Sequence, residues 1–113
     1  MLVREAVAVV VCGVAGRMGS RILNAVRADD ECLVVGATER PESPRIGLDA
    51  GLVTSAGPLE VAIAGSLEAA LDKAKPHAQV VIDFTAPAAS LKHVKICADR
   101  GVGLVVGTTG FSA

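Results

Sequence analysis

Residues 6–19 read AVAVVVCGVAGRMG, and this stretch decides the fold. Its first half, Ala6–Cys12, is a β-branched apolar run without alternation, the pattern of a parallel strand buried on both faces. Gly13, Gly16 and Gly19 interrupt it. From Arg17 to Ala28, Met18, Ile22, Leu23, Ala25 and Val26 then recur at roughly helical spacing, until Asp29 and Asp30 end the run. A buried strand, a glycine turn and an amphipathic helix open a strand–helix–strand unit.

The same alternation continues outward. Cys32–Thr38 reads as a second buried strand. Residues 40–58 hold Pro41, Pro44, Gly47, Gly51, Gly57 and Pro58 and read as a long loop. A loop of that length in a compact domain is more often functional than idle. Glu60–Ala64 is a short third strand, and Ser66 is the N-cap of a helix that ends near Lys75, before Pro76. Ala78–Phe84 is a fourth strand. Pro87 starts a helix with Leu91, Val94, Ile96 and Cys97 on its apolar face, Gly101 caps it, and Val102–Val106 is a fifth strand. Strands alternating with helices mean right-handed crossovers and a parallel sheet. The expectation is an α/β fold, a Rossmann-type parallel sheet with helices on both faces. With 113 residues, the chain is read as one domain spanning positions 1–113.

Composition narrows the function classes. Eleven basic residues stand against twelve acidic ones, for a net charge of −1 and no basic cluster, which argues against a nucleic-acid partner. Cys12, Cys32 and Cys97 are widely spaced and odd in number, without a CxxC or Cys/His cluster. They read as reduced thiols of a cytoplasmic protein, and neither a disulfide framework nor a metal site is expected. Residues 1–16 superficially mimic a signal peptide, but Glu5 spoils the basic region and the apolar run enters a glycine turn. No stretch is long and apolar enough to imply a membrane span.

Ligands of open parallel sheets bind beyond the carboxyl ends of the strands. Four groups of unusual residues fall there. In the first, Gly13, Val14, Ala15, Gly16, Arg17, Met18 and Gly19, the glycines permit a tight turn and a close backbone approach. Helix-start amides then suit a pyrophosphate, with Arg17 as a charge clamp. The spacing GxxGxxG is weaker than GxGxxG, and its alternative is a βα turn that binds nothing. The strand before and the helix after favour a dinucleotide. The second group is Glu39 and Arg40, about 20 residues past the last glycine, where a ribose-binding acid belongs. The carboxylate suits the ribose hydroxyls of NADH, and the guanidinium suits the 2′-phosphate of NADPH. Their alternative is a surface ion pair. In the third, Asp83-Phe84-Thr85-Ala86-Pro87, the Phe84 ring at a strand end either packs on the nicotinamide end or belongs to the core. The fourth, Gly107-Thr108-Thr109-Gly110-Phe111, offers donors to a carboxamide or else simply leaves the sheet. His77 and His93 are read as ordinary solvated or packed side chains. No Ser–His–Asp arrangement, HExxH or P-loop lysine is present, so no catalytic residue is assigned.

Together these groups resemble the 4-hydroxy-tetrahydrodipicolinate reductase family, also called dihydrodipicolinate reductase. The resemblance rests on GVAGRMG at Gly13–Gly19, on Glu39 and Arg40, on VIDFTAP at Val81–Pro87 with His93 and Cys97 following, and on GTTGF at Gly107–Phe111. Gly47-Leu48-Asp49-Ala50-Gly51 is similar to the family's GxDxG loop. The resemblance implies hydride transfer from NADH or NADPH to a dipicolinate-type heterocycle in lysine and diaminopimelate biosynthesis. It implies cofactor contacts from Gly13, Gly16, Arg17, Met18, Glu39, Arg40, Gly107, Thr108 and Thr109, with Phe84 and Thr85 lining the nicotinamide end. It also implies a homotetramer. The family's histidine-rich catalytic segment lies beyond GTTGF, so the expectation is an N-terminal domain truncated before the substrate domain, binding cofactor without turnover. Two alternatives stay open: the dinucleotide domain of a homoserine- or aspartate-type dehydrogenase, and a non-catalytic nucleotide-sensing module.

Overall fold

The computed structural model describes residues 6–107. Five parallel strands form one sheet: β1 Val7–Cys12, β2 Cys32–Thr38, β3 Ile63–Ala64, β4 Val80–Asp83 and β5 Gly103–Val106. They lie in the order β3-β2-β1-β4-β5. The chain moves outward from β1 in one direction through β2 and β3, then returns to the other side of β1 for β4 and β5. The reversal lies between β1 and β4, which is where such sheets open a crevice at their carboxyl ends.

Strand β1 is central, and its residues alternate between two cores. Ala8, Val10 and Cys12 face one core with Leu67, Ala70 and Leu71 of α3 (Leu67–Lys73) and Cys97 of α4 (Pro87–Arg100). Val9 and Val11 face the other core with Leu23 and Val26 of α1 (Arg17–Ala28). Ala8 through Cys12 are all at most 2 % exposed, which explains why the strand is apolar without alternation. Helices therefore cover both faces, as the alternation of elements requires.

Local signals set the helix ends. Ser66 caps α3, its hydroxyl accepting from the Ala69 amide at 3.1 Å. Pro87 occupies the first turn of α4, and Gly101 ends that helix. Gly19 lies where α1 crosses β1: a β-carbon there would overlap the Gly13 carbonyl oxygen, so only glycine lets the helix sit this close to the strand end.

Three expectations shift. The long loop contains a one-turn helix, α2 (Ala50–Val53), capped by Asp49. The third strand is only Ile63–Ala64, because Ala62 forms an antiparallel bridge back to Asp49 instead of extending the parallel ladder. In α4, Cys97 is buried and Ile96 packs against the core as the sequence reading has it, but Leu91 is 64 % exposed and Val94 50 % exposed, and Ser90 joins the buried stripe instead.

Candidate functional site

The carboxyl ends of β1, β2 and β4 meet at a cleft of about 690 Å³, within the range of small-molecule sites. The glycine turn forms its floor. The Gly13 and Val14 amides both donate to the Thr38 carbonyl, at 3.0 and 3.3 Å, which ties the turn to the end of β2. Gly16 is the N-cap of α1 and carries no side chain to satisfy the first-turn amides. Those donors, with the positive end of a 12-residue helix behind them, suit an anion.

Glu39 extends from the end of β2 across this turn. Its Oε2 accepts from the Ala15 amide at 2.9 Å, while its own amide donates to the Ala64 carbonyl at 3.0 Å. The side chain is thus held between the glycine turn and the end of β3. Arg40 beside it is exposed, with Nε 3.7 Å from the Glu42 carboxylate, itself exposed. Such an open pair contributes little to stability and leaves the guanidinium available to a ligand.

The opposite wall begins at the end of β4. The Phe84 ring lies against Gly107, where a β-carbon would overlap the ring. Gly107 is held there by its amide, which donates to the Asp83 carbonyl at 2.8 Å. Asp83 itself is completely buried. Its Oδ1 accepts from the Thr85 amide at 2.9 Å and the Thr85 hydroxyl at 2.6 Å, and its Oδ2 lies 2.7 Å from Nδ1 of His93 on α4. Burial alone would raise this carboxyl. The His93 and Thr85 hydrogen bonds outweigh it and bring the pKa down from 3.8 to about 2. Cys12 and Cys97 neighbour Asp83, and burial above all, then the Asp83 charge, keeps both protonated; Cys12 is pushed up to about 12.

The structure brings Gly13, Gly16, Glu39, Arg40, Phe84 and Thr85 into this one cleft. Val14 turns its side chain fully into the core. Ala15 enters through its backbone amide, and Arg17 and Met18 lie exposed on the first turn of α1. Gly107 backs the Phe84 ring. Thr108, Thr109, Gly110 and Phe111 lie outside the described residues.

Sequence reasoning missed the Asp83–His93 pair. A signal was available: Ser90, His93 and Cys97 follow one another at helical spacing, and the first and last of them are buried, so His93 sits on the stripe of α4 that faces the sheet. Lys92 and His93 both line the cleft. Asp49, noted only as part of a loop motif, accepts from the amides of Gly51 (3.0 Å), Leu59 (3.0 Å) and Glu60 (3.2 Å) and so ties the loop together. Against the cost of burial, these donors hold its carboxyl below the usual value. Among the described residues there is no group of three or more potential metal ligands, and no helix is long and apolar enough to cross a membrane.

Comparison with known proteins agrees with this architecture. The family model described as dihydrodipicolinate reductase, N-terminus, matches residues 7–113. A 4-hydroxy-tetrahydrodipicolinate reductase of Myxococcus xanthus (strain DK1622) is 50 % identical over 103 residues, which is 91 % of this chain and 37 % of that protein. A reductase of the same name from Anaeromyxobacter dehalogenans (strain 2CP-C) is 51 % identical over 104 residues, 92 % of this chain and again 37 % of that protein. The chain therefore spans less than two fifths of the relatives it matches. Among solved structures, a dipicolinate-bound dihydrodipicolinate reductase from Paenisporosarcina sp. TG-14 superposes with a TM-score of 0.73 at 25 % identity, over 96 % of this chain and 39 % of that one. An amine dehydrogenase from Mycobacterium smegmatis gives a TM-score of 0.75 at 28 % identity, over 88 % of this chain and 29 % of that one. With a family model covering nearly its whole length, the chain belongs to the dihydrodipicolinate reductase family, whose N-terminal part it matches.

Proposed function

We infer that residues 1–113 act as a dinucleotide-binding domain that takes NADH or NADPH along the cleft at the carboxyl ends of β1, β2 and β4. The observation that carries this reading is the 2.9 Å bond between Glu39 Oε2 and the Ala15 amide. It sets a carboxylate for a ribose directly beside uncapped helix amides for a pyrophosphate, which is the arrangement that dinucleotides need. In this reading the first-turn amides of α1, at Arg17 and Met18, hold the pyrophosphate over the glycine turn, and the Arg17 guanidinium adds charge. Glu39 accepts from the adenosine ribose hydroxyls, and Arg40 pairs with a 2′-phosphate when one is present. Phe84, with Gly107, Thr108 and Thr109, forms the nicotinamide end, whereas Thr85, whose hydroxyl shares the Asp83 carboxylate with His93, is assigned to the adenosine side. Bound there, the nicotinamide supplies a hydride. The chain's own residues bind the cofactor, orient it and shield one side of it from water.

The reaction attached to this reading is reduction of a dipicolinate-type heterocycle in lysine and diaminopimelate biosynthesis. The dipicolinate in the Paenisporosarcina reductase structure supports that substrate class. Over residues 1–113 the reading assigns cofactor capture without turnover; reductase activity from these residues alone would contradict it. The same reading carries cytoplasmic location and, for full-length members of the family, homotetrameric assembly.

Calorimetric titration with NADH and NADPH tests the cofactor site. Both are expected to bind. Glu39→Ala should weaken NADH by about tenfold, the worth of a charge-assisted hydrogen bond, and affect NADPH less. Arg40→Ala should do the reverse. If a folded chain binds neither dinucleotide, the reading is wrong.

A further inference from the structure

The Asp83–His93 pair lies at the cleft, yet the contacts assigned above leave it without a role. Both Asp83 carboxylate oxygens are engaged, Oδ1 by Thr85 and Oδ2 by His93. A carboxylate brings no proton to a hydrogen bond, so in the 2.7 Å contact the proton belongs to His93 Nδ1, whichever charge the ring carries. The tautomer of the neutral ring follows: Nδ1 donates to Asp83, and Nε2 keeps its lone pair. His93 is largely enclosed, its side chain 12 % exposed, and it lines the cleft. Nε2 is the ring's remaining polar atom, a hydrogen-bond acceptor held in one orientation by a buried partner.

Its surroundings suggest what it accepts from. Ala89 and Ile96 of α4, with Pro41 after β2, give this part of the cleft apolar walls. The ribose-side residues Glu39 and Arg40 line the same cleft. A stretch of cleft with apolar walls and one oriented acceptor, shared with the ribose carboxylate, fits a flat purine that carries an exocyclic amine. The geometry points to His93 as the residue that reads the adenine, its Nε2 accepting from the 6-amino group, and to Asp83 as the positioning residue that holds the ring in the accepting tautomer. This rests on the cofactor reading above and gives it base selectivity.

The test compares NADH with deamino-NADH, in which the amine is replaced by an oxo group that can only accept. Calorimetry at pH 8 on the unchanged chain should show NADH favoured by about tenfold, the worth of one hydrogen bond. His93→Asn retains an N–H toward Asp83 and removes Nε2; its amide oxygen takes roughly the place of the ring Cδ2 and falls short of the Nε2 position, and His93→Phe removes every acceptor. His93→Asn should bring NADH down to the deamino-NADH level and leave deamino-NADH unchanged. His93→Phe should give the same levelling. Asp83→Asn can donate to Nδ1 and move the ring proton to Nε2, shifting preference toward deamino-NADH, a change that mere loosening of α4 would not produce. Equal affinity of the unchanged chain for both dinucleotides overturns the proposal. So does a preference that survives in His93→Asn, or an equal loss of both ligands in that variant. Failure of a folded, unchanged chain to bind either dinucleotide overturns the cofactor reading itself, and this proposal with it.

Discussion

Acid should destabilise this domain through Asp83 in a defined pH window. The carboxyl is fully buried, and its pKa falls from 3.8 to about 2 because His93 and Thr85 bond to its charged form. The folded value lies below the unfolded one, so between the two the unfolded chain binds more protons and stability rises with pH. The contribution is complete above about pH 4 and is lost as pH falls through about 2. That gap, at about 1.4 kcal/mol per pH unit, makes the contribution on the order of 2 kcal/mol. Urea unfolding of the chain and of Asp83→Asn between pH 2 and pH 7 measures it. Asparagine does not titrate, so the stability difference between the two proteins should be largest above pH 4 and shrink by about 2 kcal/mol toward pH 2. A difference that stays constant across that range would refute the reasoning, because it would mean that Asp83 has the same pKa folded and unfolded.

Two further outcomes follow from packing and loop geometry. Gly19→Ala should force α1 away from the end of β1, since its β-carbon would overlap the Gly13 carbonyl oxygen. A loss of about 3 kcal/mol or more in urea unfolding is expected, and an unchanged midpoint would show that the helix has room to move. Asp49→Ala should strand the amides of Gly51, Leu59 and Glu60, costing about 2 kcal/mol and speeding hydrogen exchange at Leu59 while exchange in β1 stays slow. Uniform acceleration across the sheet would argue that the loop and the core unfold as one unit.

The parallel sheet was legible because its strands are short apolar runs and its helices are periodic. Val9, Val10 and Val11 are buried by helices on alternating faces, and that demand is written directly into residue type. The glycine turn and Glu39 were legible for a similar reason. They depend on spacing along one βαβ unit, and spacing survives in a sequence. Three features were not legible. Helix α2 is a single turn held by Asp49, whose partners Leu59 and Glu60 lie ten and eleven residues away, beyond any local pattern. Leu91 and Val94 stand exposed because the stripe of α4 that meets the sheet runs through Ser90, His93 and Cys97, a stripe that includes two polar residues and that apolar periodicity alone does not pick out. His93 looked ordinary because its partner, Asp83, sits on another element and reaches it only once α4 packs against the sheet. The Asp83–His93 contact is a tertiary fact, and composition around either residue carries little of it.

Amide chemical-shift mapping with NADH added to the isotopically labelled chain tests the central claim most directly. The account predicts that the largest changes fall at Gly13–Met18, at Glu39 and Arg40, and along Thr85–His93, the residues around the 690 Å³ cleft. Changes concentrated instead in the groove of about 440 Å³ between Leu33–Gly36 and Lys73, or no changes at saturating NADH in a folded chain, would contradict it.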